Sequence, residues 1–218
     1  MGRPVVTTVT LNAAVANGYA QSQSPGGAGN LTLNGSLVVN GVGTPDHPRR
    51  VGITSAGDDT GRIFTVYGTS RPETGGVAIS EAVAGTNGGT AVPTQDFATV
   101  TRIAVDGATA GAVTAGTTST GSGPWVPWDA NVRTKFEVAA AVNVLAGAPS
   151  WTVEVTFDDV YGTNLPSGVT FPRAFPWASL SGKTGDTFDV IQNPGVRASR
   201  LTVTGVGSAQ LTQSQQGD

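Results

Sequence analysis

The chain has 218 residues, no cysteine, 12 lysines and arginines against 15 aspartates and glutamates, and 31 glycines. The lack of cysteine excludes disulfides and thiolate metal sites, and a net charge of −3 without a basic patch argues against holding nucleic acid by phosphate neutralisation. Only 12% of the residues are charged, while threonine and valine abound, which argues against ordinary disorder and for pleated, half-buried strands in one large all-β domain or two small ones.

Residues 5–11 put Val5, Thr7, Val9 and Leu11 on one face and read as a first strand. Residues 12–30 are rich in Ala, Gln, Ser and Gly and contain Ser24-Pro-Gly-Gly-Ala-Gly29. Residues 1–30 are therefore expected to form an extended arm that reaches a neighbour, with a poorly ordered leader as the alternative. Leu31-Thr-Leu33 and Ser36-Leu-Val-Val39 flank Asn34-Gly35, a strong hairpin signal. Residues 43–48 form a loop with two prolines. Runs 51–55 and 62–67 flank the polar 56–61 and predict a second hairpin. Further strands are expected over 77–83, 97–105 and 111–117.

Residues 117–124 form a Ser/Thr/Gly run with no apolar side chain, closed by Pro124. This predicts a boundary between an N-terminal β domain (31–118) and a C-terminal β-sandwich domain (119–218). In the second domain Phe136, Val138, Ala140, Val142 and Val144 share one face, and a helix would set Asn143 on the apolar stripe, so a strand is preferred. Trp151, Val153, Val155 and Phe157 alternate without a fault. Residues 161–176 form a Pro/Gly/aromatic excursion, and strands over 187–191, 198–204 and 209–214 complete the sheet. The expected fold is all-β, a jelly-roll-like β-sandwich with an N-terminal arm and two β subdomains. No secretory leader and no membrane-spanning run is expected.

Chemistry is sparse. The one histidine, His47, lies between Asp46 and Pro48 and reads as a loop residue. Asp58-Asp59 and Asp158-Asp159 could offer oxygens to calcium, but the spacing fits turn-forming aspartates better. Asp96, Glu81, Glu137 and Glu154 form no recognisable hydrolytic pair. Gly85-Thr-Asn-Gly-Gly-Thr90 and Gly205-Val-Gly207 read as turns. No catalytic residue, cofactor or metal ligand is therefore assigned, and no enzyme is expected. Trp125, Trp128, Phe171, Phe175 and Trp177 cluster near prolines. They either contact a partner or a sugar, or cap the open ends of the sandwich core.

Several blocks carry a likeness to known proteins. They are Asn30-Leu-Thr-Leu-Asn-Gly35, the run 49–69, the run 97–111, Pro124-Trp-Val-Pro-Trp128, Trp151-Thr-Val-Glu-Val-Thr-Phe-Asp-Asp159, Leu180-Ser-Gly-Lys-Thr184 and the run 196–205. In these, from about residue 21 to 216, the chain resembles tailed-bacteriophage virion structural proteins; residues 161–176 depart from that pattern. The resemblance implies a non-enzymatic virion component, assembled in the host cytoplasm. It would be a capsid decoration or head-fibre protein bound to major capsid neighbours, or else a tail or neck adaptor. Homo-oligomers held by apolar burial and edge-strand addition are implied, with residues 1–30 as the docking arm. Deleting that arm should then leave a folded protein that fails to assemble. A carbohydrate-binding host-adhesion module using Trp125, Trp128 and Trp177 is the rival reading. Neither nucleic acid nor membrane is an expected partner.

Overall fold

Strand β1 (Val5–Leu11) forms where alternation predicts it, but it does not stay with the residues that follow it. In a computed structural model, residues 4–70, 76–129, 136–160, 172–192 and 195–216 are described. The chain divides into an N-terminal unit, Ala13–Ser119, and a C-terminal unit made of Met1–Asn12 and Thr120–Asp218. Among the described residues the only helical element is a single 3-10 turn, Ala178–Leu180.

The N-terminal unit holds β2 (Ala20–Gln23), β3 (Gly29–Asn30), β4 (Val38–Val39), β5 (Val42–Gly43), β6 (Arg49–Ser55), β7 (Ile63–Thr69), β8 (Ala78–Ala84), β9 (Thr90–Ala91), β10 (Thr99–Val105) and the first part of β11 (Val113–Ser122). One sheet runs β4-β5-β10-β7-β8, with β3 also on β10. On the other side β6 lies between β9 and β11, and β2 pairs with β11. Val51 and Ile53 of β6 share one buried cluster with Phe64 and Val66 of β7 and with Val100 and Ile103 of β10, so apolar side chains of both sheets meet in one core.

The C-terminal unit is built the same way from the last residues of β11, β12 (Val126–Pro127), β13 (Val138–Gly147), β14 (Ser150–Thr156), β15 (Phe175–Pro176), β16 (Thr187–Ile191), β17 (Ala198–Thr204), β18 (Gly207–Gln215) and β1. One sheet has the order β1-β18-β13-β16. The facing strands are β15, β14 and β17, with 120–122 and β12 pairing β17. Val9, Leu11, Val138, Val142 and Leu211 from the first sheet pack with Trp151, Val153, Leu201 and Val203 from the second. The alternation of β13 and β14 thus does what it predicts, setting every second residue in the core.

Four expectations need correction. Residues 4–30 do not project as an arm. β1 pairs over all seven residues with β18, Tyr19 and Ala20 are fully buried, and β2 and β3 join β11 and β10. The physical reason is the apolar face of Val9 and Leu11, which no solvated arm would tolerate. Asn34-Gly35 is not a hairpin turn. A Cβ on Gly35 would overlap the carbonyl of Gly18, and Gly35 N–H donates to Tyr19 O at 3.0 Å, so this glycine serves a close backbone approach. The hairpin uses the next such pair, Asn40-Gly41, with φ of 52° and 78°, between β4 and β5.

Strands β6 and β7 form, but they do not pair with each other. β7 pairs with β8 and β10. The 56–61 segment instead crosses from one sheet to the other. Asp58 accepts from Thr60 N–H at 3.2 Å and from its hydroxyl at 2.7 Å, a local turn bond. Asp59 is buried and accepts from Ala110 N–H at 2.7 Å, while its own N–H donates to Thr86 O. Residues 117–124 are no loose linker either. β11 runs through Ser122, and the division between units falls inside that strand, after Ser119.

Candidate interaction surface

The sheet β1-β18-β13-β16 buries one face and leaves the other open. Along β16 the half-buried Thr187, Asp189 and Ile191 alternate with the exposed Phe188 and Val190, and Phe188 is 78% exposed. Register sets Phe188 beside Ala141 and Val190 beside Ala139 on β13. β18 adds Gln210, Thr212 and Ser214 to the same face, and β1 adds Val6, Thr8 and Thr10. No residue that these four strands turn outward is charged. The carboxylates of matching parity stand at the rims. Glu137, just before β13, accepts from Gln192 Nε2 at 3.1 Å, and Asp186, just before β16, accepts from Val144 N–H at 2.8 Å. An uncharged centre with a polar rim is the layout of protein interfaces.

The aromatic residues singled out from sequence divide into two groups. Trp125, Trp128 and Trp177 are only 6%, 8% and 6% exposed. Trp128 meets Phe136 at 5.9 Å and Trp177 edge-on at 6.3 Å, and its Nε1 donates to Gln213 Oε1 at 3.0 Å. Trp177 Nε1 donates to Asp189 Oδ2 at 2.9 Å, and Ser179 donates to the same oxygen. These bonds, that of Ser179 first, hold the Asp189 carboxyl below the usual carboxylate range. Trp125 lies under the Arg200 guanidinium, 4.7 Å from its ring centroid. The three rings therefore close the core and offer no open face to a sugar. Phe171 lies outside the described residues. Phe175 is exposed and pairs edge-on with exposed Phe157 at 5.7 Å, so Phe157 turns outward beyond the end of β14 instead of continuing its buried row.

Beside that pair, the buried Asp158 accepts three hydrogen bonds from Arg173: N–H at 2.8 Å, Nε at 2.9 Å and Nη2 at 2.7 Å. Arg173 holds the Asp158 carboxyl below the usual carboxylate range. Because the folded value is lower than the unfolded value of about 4, the pair stabilises fully above that pH, and the stabilisation is lost as pH falls through the folded value. Arg173→Ala is expected to lower stability at pH 7, and by less at an acid pH below the folded value of Asp158, where the carboxyl has lost its charge in both proteins. Denaturant midpoints at the two pH values check this; an equal gap at both would show that the ion pair is not its source.

The remaining carboxylates weighed as catalytic candidates are engaged by their own surroundings. Glu81 accepts from Thr94 N–H, the Thr94 hydroxyl and Gln95 N–H, each at 2.8 Å. Glu154 pairs with Arg200 at 2.7 Å and accepts from Thr202. Asp96 stands 3.8 Å from Arg50. Asp46 forms a two-pronged pair with the buried Arg49, which fixes the 43–48 loop that carries His47. Among the described residues, no three His, Cys, Asp or Glu side chains gather as a metal site would need. The outward face of the C-terminal sheet was missed in the sequence, although the alternating Ala139, Ala141 and Asn143 were its visible signal. Comparison with protein-family models, with curated proteins and with solved structures found no match to this chain.

Proposed function

We propose that this protein is a non-enzymatic structural component of a tailed-phage virion that adheres to neighbouring virion proteins. The observation that carries the reading is the uncharged outer face of β1-β18-β13-β16, centred on Phe188 and rimmed by Glu137 and Asp186. Such a face favours burial against another protein and carries no charge to desolvate. The block resemblance in the sequence supplies the virion context. Capsid decoration or a head fibre is the position proposed, with a tail or neck adaptor as the alternative. The glycan-binding alternative loses its support, since Trp125, Trp128 and Trp177 are buried.

Quantitative mass spectrometry of purified particles, referenced to the major capsid protein, tests this. Symmetry ties copy number to position, so copies on the order of hundreds mean capsid decoration and roughly a dozen mean neck or tail. Absence from the particle overturns the proposal. Phe188→Glu should reduce incorporation at least tenfold without lowering the melting temperature, because Phe188 is 78% exposed in the free protein. Normal incorporation of this variant would dismiss the face as the docking surface.

A further inference from the structure

The two edges of the C-terminal sheet differ in how they are protected. Proteins blunt exposed edge strands with charge, proline, bulges or a covering element, because an open edge recruits another strand. β1 itself carries no charge, proline or bulge along its length, and no described strand pairs its free edge. It reads Val5-Val-Thr-Thr-Val-Thr-Leu11, pairs with β18 without a register shift, and among the described residues has β18 as its only paired strand. Val5 and Val6 are 44% and 53% exposed. The opposite edge, β16, carries Asp189 at its centre, and a symmetric pairing of β16 would set that carboxylate against its own copy.

A second observation concerns hydroxyls. Across the paired strands this protein joins opposed hydroxyls directly: Thr54 to Thr90 at 2.8 Å, Thr69 to Thr99 at 2.8 Å, Thr120 to Thr204 at 3.0 Å and Thr10 to Ser208 at 2.9 Å. Thr7 is the exception on β1. Its neighbour across the ladder is Leu211, and its buried hydroxyl has no hydrogen-bond partner. A buried hydroxyl left unpaired costs about 1–3 kcal/mol, so a missing partner is informative.

We infer that β1 pairs antiparallel with β1 of a second copy of this chain, about a two-fold axis at Thr7. That register keeps inward residues inward on both copies. It sets Thr7 opposite the partner's Thr7, Val5 opposite the partner's Val9 and Val6 opposite the partner's Thr8. The two Thr7 side chains then stand about 5 Å apart at Cβ, and a rotation about χ1 turns each hydroxyl from its buried position in the single chain toward the other. Val5 and Val6 are covered, no like charges meet, and the two four-stranded sheets become one of eight strands. The contact is isologous and closes on itself, as a two-fold dimer requires. It stands independently of any place in a virion.

The full chain, which has no cysteine, allows a direct test. Thr7→Cys, treated with diamide as oxidant at micromolar protein, should form a disulfide-linked dimer at least tenfold faster than Val39→Cys, an exposed control on β4 of the other unit. Thr8→Cys should link as slowly as that control, since position 8 faces position 6 across the axis. In sedimentation equilibrium the wild-type protein should weigh twice the 21.9 kDa chain. V6K/T8K sets lysine against lysine on the exposed face and should weaken the dimer at least tenfold with the melting temperature of the separated chains unchanged. The proposal is overturned by a wild-type monomer at all concentrations, by a V6K/T8K dimer of unchanged affinity, or by Thr8→Cys linking as fast as Thr7→Cys.

Discussion

Deletion of residues 1–30 is expected to unfold the protein, not to release a dispensable arm. The deletion removes β1, and with it Val9 and Leu11, which are fully buried against Leu211 and Ala209 in the C-terminal core. Burying each such side chain contributes about 1.5–3 kcal/mol. It also removes Tyr19 and Ala20, both at 0% exposure, from the core of the N-terminal unit. Tyr19 N–H donates to Ala115 O at 2.9 Å, and Gly29 and Asn30 pair with Val105 and Ala104 of β10, so the segment is tied into both sheets of that unit. With total stabilities of about 5–15 kcal/mol, losses of this size in both units leave no cooperative transition. Circular dichroism with a thermal scan decides the point. A truncated chain that melts cooperatively near the temperature of the full chain would mean that these contacts do not support the fold.

Gly68→Ala should be the most damaging single substitution of a glycine in the N-terminal unit, at about 3 kcal/mol. Gly68 is the last residue but one of β7, paired between Val100 on β10 and Ile79 on β8. A Cβ there would overlap the carbonyl oxygen of Thr99 and come within 3.0 Å of Phe97 Cδ1. The obstacle is the backbone of a strand paired on both sides, which cannot yield without breaking a ladder. It coincides with the register shift between Val100 and Arg102, where β10 bends around the glycine. Gly61→Ala is the matched control. Nothing lies within 4 Å of the added methyl, so its stability should stay within about 0.5 kcal/mol of wild type. Urea midpoints measure both. Equal midpoints for the two variants would remove the close approach at Gly68 from the account of this fold.

The strands themselves were legible in the sequence. Alternation at period two, β-branched residues and glycine-bounded turns mark β1, β6, β7, β10, β14, β16 and β17 to within a few residues. These signals are local, carried by residues within or next to the element they predict, with Phe97 and Phe157 falling just outside β10 and β14. The turn role of Asp58 was legible for the same reason, since its acceptor bonds reach only two residues along the chain. The low apolar content of the Ser/Thr/Gly run near residue 120 disguised a strand, since the second half of β11 is built of threonine, serine and glycine.

Partnership between strands was not legible. β1 lies about two hundred residues from β18, and nothing in Val5–Leu11 names its partner, because ladder bonds join backbone groups that every residue carries alike. The choice between Asn34-Gly35 and Asn40-Gly41 as a hairpin turn followed from the close approach of Gly35 to Gly18, a distance set only once the unit has closed. Burial of Trp125, Trp128 and Trp177, against exposure of Phe157 and Phe175, depends on which rings the second sheet covers. The uncharged face and the unprotected β1 edge likewise exist only when four strands from distant parts of the chain lie side by side. The sequence by itself determined the pieces, through short-range periodicity and turn chemistry. The tertiary structure alone decided their pairing and which of their faces meet water, because those follow from apolar burial summed over residues far apart in the chain.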